Sequence, residues 1–254
     1  MPTEQIKTNE QAQETNKRTL GWGPAAAIFV SLGAYIISQL ILVFPITIIS
    51  YVNKSAADDF SGYLSDNPWL ELLLSGISAL TLGLVLWIFL KYRKRSFKDL
   101  GFKKPKLSDF GWLAVAVIVY FILLSISLTL AGLVPGFNAD QQQDVGYSGI
   151  AGAQLILAFI GLVILPPLAE EMMFRGFMYR GMASKWPKIL SALLTSFLFG
   201  LVHFQWNVGV DVFVLSLVLI ALYEKTKNLW MCVSLHALKN FIAFLALFVF
   251  ATIR

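Results

Sequence analysis

Long uninterrupted apolar runs constrain this chain more than any other feature, because each must either be buried in a very large core or lie in lipid. The runs cover residues 24–51, 69–90, 110–134, 150–182, 189–204, 208–223 and 229–253 of a 254-residue chain. A helix needs about 20 residues to cross roughly 30 Å of hydrocarbon, so these are seven candidate spanning helices, with 208–223 the marginal one and six or eight crossings also compatible. Composition agrees: 57% of the residues are apolar and only 14% charged, with a mean hydropathy of +0.70. Ordinary soluble domains carry about a quarter charged residues, which excludes a water-soluble globule. The expected fold class is therefore all-α, a polytopic membrane helical bundle.

The charges sit between the runs, and the positive ones alternate. Residues 91–108 hold eight Lys and Arg and 135–149 hold none, whereas 52–68 hold only Lys54 beside Asp58, Asp59 and Asp66. Counting Lys7, Lys17 and Arg18 in the leading segment, 17 of the 20 basic residues fall on one side of a seven-span arrangement. Because positive loops stay in the cytoplasm, the amino terminus is expected inside, in a plasma membrane. The same alternation accounts for the net charge of +5 without nucleic acid as a partner. The lone Cys232 permits neither an intramolecular disulfide nor a cysteine metal cluster. Residues 1–20 read as a disordered cytoplasmic tail, and 21–254 as one transmembrane domain whose chemistry-bearing core lies at about 150–250. Trp22, Trp69 and Trp186 fall where interfacial anchors belong.

Ionisable side chains inside spanning helices are costly and by default functional. Those identified are Glu170, Glu171, Arg175, His203, His236 and Lys239, joined by Asn240. Glu170 precedes Lys185 by 15 residues and His203 follows Lys188 by 15, so a helical hairpin turning near Pro187 raises both by about 22 Å to one level. Residues four apart share a helix face, which pairs Glu171 with Arg175 and leaves Glu170, about 100° around, as the carboxylate free to act as a base. Pro166 and Pro167 are expected to kink or restart their helix just before it. Lys239 is expected to face the cavity and pair with an acidic residue or a substrate carboxylate. Each of these groups also has a structural reading, as a hydrogen bond between helices or a satisfied ion pair; Asn240 reads equally as interhelical glue.

Three motifs emerge at 170–175 (EExxxR), 199–203 (FxxxH) and 236–240 (HxxxN). In order and type they resemble the CAAX-protease and bacteriocin-processing (CPBP, or Abi) family of intramembrane endopeptidases, related to type II CAAX prenyl endopeptidases. The resemblance implies that Glu170 and His203 activate water, that His236 and Asn240 form the oxyanion site, and that Glu171 and Arg175 support them. It implies a peptide or membrane-associated protein as substrate, the lipid bilayer as the other partner, and no cofactor. The same side chains leave a zinc alternative, with Glu170, His203 and His236 as ligands and Glu171 as base; the absence of HExxH and the origin of the ligands on three helices favour the metal-free reading. A noncatalytic immunity or scaffold protein is the competing function from another class. A proton-coupled transporter is a third, disfavoured by the absence of internal repeats.

Overall fold

A computed structural model of the chain describes residues 20–139, 141, 147 and 150–250. The expected tail at 1–20 and its three basic residues lie almost wholly outside them, as does much of the loop 135–149. Among the described residues every regular element is helical: α1 (Pro24–Val52), the short α2 (Lys54–Asp58) and α3 (Phe60–Asp66), α4 (Pro68–Tyr92), α5 (Leu107–Ala131), α6 (Gln154–Ala183), α7 (Lys188–Leu201), α8 (Trp206–Thr226) and α9 (Leu229–Phe250). Six of them, α1, α4, α5, α6, α8 and α9, are long and apolar enough to cross a membrane. The molecule is a polytopic helical bundle.

The fifth apolar run corrects the expectation of seven spans in an instructive place. The run at 189–204 yields α7, only 14 residues long, or about 21 Å, which falls short of the hydrocarbon thickness. Its helix stops because the chain turns after Leu201 and passes through a left-handed conformation at Phe204 (φ 52°). The run at 208–223, marginal by composition, gives the 21-residue α8, because Trp206–Asn207 and Glu224–Thr226 continue the helix beyond the apolar stretch. Hydropathy counts apolar residues, whereas helix length follows backbone geometry at the ends.

α8 is the axis of the bundle and packs against α5, α7 and α9; α1 packs on α4 and on the carboxy-terminal end of α6. Glycine permits close approaches between these helices. A Cβ on Gly200 would lie 2.9 Å from the carbonyl oxygen of Gly209, so α7 and α8 touch backbone to backbone, and a Cβ on Gly181 would lie 2.6 Å from both the Ala27 side chain and the Trp22 ring. Trp22 is not an interfacial anchor. It is 4% exposed, stacks on Phe177 at 4.9 Å and donates its indole N–H to the Phe177 carbonyl at 3.0 Å, because the α1 entry folds over the end of α6. Side chains such as Phe29, Leu40, Phe44, Leu80, Ile118 and Phe197 point outward, as lipid-facing surfaces require.

Candidate functional site

The site begins with a helix that cannot be regular. Pro166 and Pro167 lack backbone N–H groups, and α6 responds with a π-helical stretch at Ile160–Ile164 before restarting at Leu165. The Leu162 carbonyl is thereby deprived of both its i+4 donor, residue 166, and its i+5 donor, residue 167. Asn240 on α9 supplies the missing hydrogen, its Nδ2 donating to Leu162 O at 2.9 Å. A buried carbonyl without a donor costs about 1–3 kcal/mol, so this bond is a specific clamp between α6 and α9. A second π-helical stretch, Met172–Tyr179, follows the two glutamates and carries Arg175. Such irregular turns concentrate at functional sites, where they redirect side chains that a straight helix would aim elsewhere.

The polar centre is built on Glu171. Its Oε1 accepts from Arg175 Nη1 at 2.8 Å and from His236 Nδ1 at 2.9 Å, and the Glu171 and Arg175 side chains are 0% exposed. Glu171 Oε2, Arg175 Nε and Arg175 Nη2 make no hydrogen bond. What compensates the guanidinium is Phe199, whose ring lies 4.4 Å from the Arg175 Cζ in cation–π geometry. The same ring meets His203 edge-on at 5.1 Å and His236 at 6.0 Å. Phe199 is thus the shared wall of the centre, a role that its place in FxxxH hinted at but did not define.

The orientation of both imidazoles follows from their partners. His203 Nδ1 lies 2.8 Å from the Phe199 carbonyl, which can only accept, so Nδ1 carries the hydrogen and Nε2 is left as an acceptor. His236 Nδ1 donates to Glu171, and its Nε2 lies 3.8 Å from Glu170 Oε2. Glu170 is one-quarter exposed, beside the buried ion pair. Glu170 and His203 line one cavity of about 240 Å³, with Pro166 and Phe199 among its walls. The structure therefore joins Glu170 with His203 in the cavity, and Glu171, Arg175 and His236 in the brace behind it; Asn240 is committed to Leu162.

The remaining wall of this cavity comes from helices that carried no motif. Tyr35 and Gln39 on α1 and Ser75 and Ser78 on α4 face Glu170 and His203 across it. Tyr35 Oη donates to the Val202 carbonyl at 2.7 Å, capping the end of α7 and holding the turn that bears His203. A polar pair four residues apart within an apolar run was the available signal for Tyr35 and Gln39.

Sequence reasoning also overlooked Asp211. It lies on α8 within an apolar run, accepts from Tyr120 Oη at 2.5 Å and pairs with Lys239 Nζ at 2.9 Å. This meets the expectation that Lys239 finds an acidic partner, but the partner is on α8 and outside the Glu170 cavity. Among the described residues, no three His, Cys, Asp or Glu side chains converge as a metal-holding group.

Comparison with known proteins adds a family likeness to this geometry. Two curated proteins are similar over longer stretches. The chain is 27% identical over 186 residues to uncharacterized protein YyaK of Bacillus subtilis (strain 168), covering 72% of this chain and 60% of that one. It is 26% identical over 166 residues to the UPF0177 protein YxdF of Lactococcus lactis subsp. lactis (strain IL1403), covering 63% of this chain and 89% of that one. The match thus spans less than two thirds of the B. subtilis protein. No solved structure matches. The family model described as type II CAAX prenyl endopeptidase Rce1-like matches residues 152–242, the segment that carries all three motifs, and it is this family that the membrane-embedded core of the chain resembles.

Proposed function

We propose that this chain is an intramembrane glutamic endopeptidase that hydrolyses a peptide bond in a membrane-associated protein or peptide. The observation that carries the reading is that Glu170 and His203 line one cavity inside an apolar bundle, backed by a buried Glu171–Arg175–His236 brace. Amide hydrolysis needs a base at the attacking water and a donor at the developing oxyanion. Glu170 takes the proton from water, and His203 Nε2, already an acceptor, orients that water. His236 presents Nε2 toward the same carboxylate; with Nδ1 donating to Glu171, the doubly protonated ring is the form that donates to an oxyanion. Asn240 holds α9, and with it His236, against α6, and its remaining amide N–H is the second candidate donor.

In this mechanism side chains alone activate the water. Chelator treatment of purified protein is expected to leave cleavage unchanged, whereas loss of activity restored by zinc would make Glu170 a ligand and overturn its assignment as base. Basic residues gathered at one end of the bundle support a cytoplasmic placement of that end, and an amino terminus on the same side.

The deciding experiment is comparative peptidomics of cells carrying the native protein or Glu170→Gln. The variant is expected to keep its thermal unfolding midpoint, because Glu170 lies outside the buried brace, and to lose cleavage by about 10²–10⁴-fold. Precursors should accumulate in the variant alone. No accumulating species across growth conditions, with the variant still binding or protecting as the native protein does, would assign the chain to a noncatalytic role.

A further inference from the structure

At the end of the bundle opposite the α1–α4 connection lies a second recess, of about 520 Å³, and its walls come from stretches far apart in sequence. Six basic side chains line it: Arg95, Lys98 and Lys103 from the segment joining α4 to α5, Arg180 from the end of α6, Lys188 from the start of α7, and Lys227 following α8. Only Asp99 and Glu224 oppose them. Glu224 is shared between Lys188 and Lys227, and Asp99 lies 4.0 Å from Arg95. Lys98, Lys103 and Arg180 have no carboxylate partner among the described residues.

The recess is held in shape. Leu100, fully buried, packs on Gly176 of α6, where an added Cβ would lie 3.0 Å from it. Leu229 N–H donates to the Gly101 carbonyl at 2.9 Å, and Lys103 N–H to Asn228 Oδ1 at 3.3 Å, so the basic segment is stapled to the α8–α9 turn. Gly101 adopts φ 103°, a conformation that lets the chain bend around the recess. Arg180 is fixed by donation to the Asp99 carbonyl and by the Tyr223 ring 5.9 Å away. An orientation signal needs positive charge on one side of the membrane; it does not need six cations from four segments converging on one ordered hollow.

We propose that this recess binds the phosphate of an anionic lipid headgroup. It lies where spanning helices end, at headgroup depth, and its excess positive charge and fixed Arg and Lys donors suit a phosphate. The site is independent of the peptidase reading, and its test uses no activity.

Detergent-purified full-length protein is titrated with dioleoylphosphatidylglycerol or dioleoylphosphatidylcholine, and retained lipid is counted by native mass spectrometry. The native protein is expected to retain one phosphatidylglycerol in preference to phosphatidylcholine. Lys98→Gln with Lys103→Gln should weaken that retention about tenfold to thirtyfold, at roughly 1 kcal/mol per cation. The charge-matched pair Lys91→Gln with Lys104→Gln, at the end of α4 and on the joining segment but outside the recess, should leave it unchanged. A parallel arm replaces lipid with inorganic phosphate and reads thermal unfolding: stabilisation that depends on Lys98 and Lys103 supports the phosphate site and assigns it a soluble anion as well. Equal weakening by both pairs, equal retention of the two lipids, or retention indifferent to Lys98 and Lys103 would overturn the proposal.

Discussion

Among the described residues two clusters of charge lie within the apolar part of the molecule, and α9 takes part in both. Toward α6 it presents His236 to Glu171 and Arg175; toward α8 it presents Lys239 to Asp211, which Tyr120 completes. The second cluster is balanced: one cation, one carboxylate and one hydroxyl, both carboxylate oxygens used, away from the Glu170 cavity. The first is unbalanced. It has two carboxylates against one guanidinium, three buried polar atoms without a hydrogen bond, and a cavity beside it that exposes Glu170 and an acceptor nitrogen of His203. A charge in the membrane is thus not by itself a sign of chemistry. Polar groups left open to a void, here Glu170 and His203, are the better sign, because a structural network gains by satisfying every donor and acceptor and a reactive one must leave some for its substrate.

The two clusters should differ most in their response to substitution at Glu171. Glu171→Gln leaves Arg175 as an uncompensated charge in a site with no exposure, and is expected to cost about 3–5 kcal/mol, enough to remove most folded protein from a thermal unfolding assay in detergent. A variant that folds with an unchanged midpoint would show that the ion pair is not the brace described above.

Smaller effects are expected at the balanced cluster, whose two charged side chains are about one-fifth exposed. Asp211→Asn and Lys239→Met should each destabilise by about 1–3 kcal/mol, and the double variant by less than the sum, since neither charge is then left alone. Cleavage per folded molecule should hold in the double variant. Loss of cleavage at a native midpoint would bring Lys239 into the reactive site and erase the distinction between the clusters.

The finest test sharpens the role of Asn240. Asn240→Ala is expected to cost about 1–2 kcal/mol, because the Leu162 carbonyl loses its donor. In a Pro166→Ala background residue 166 regains an N–H, the carbonyl regains an intrahelical donor, and the cost of Asn240→Ala should shrink. Additive effects in the unfolding midpoints would mean that the clamp explanation fails.

Legibility in the sequence followed the range of the interactions. The Glu171–Arg175 pair was readable because four residues on one helix lie on one face, and the Phe199 to His203 relation for the same reason. Asn240 was readable only as a polar group at depth; that its partner is the carbonyl left bare by two prolines 78 residues earlier depends on how α9 seats against α6. Asp211 was passed over because a single carboxylate barely dents the hydropathy of its run, and Tyr35 because a tyrosine in an apolar helix has many bland uses.

From its amino acids alone this chain is bound to be a bundle of membrane helices with a band of polar groups in its last third, since desolvating so much apolar surface leaves no other stable arrangement and local spacing sets which groups share a face. Tertiary packing decided the rest: that α7 stops short at the turn bearing His203, that Trp22 is core, that Lys239 turns away from Glu170, and that α1 and α4 close the cavity. Those outcomes rest on contacts between residues far apart in the chain, whose geometry is set only when the helices are seated against one another.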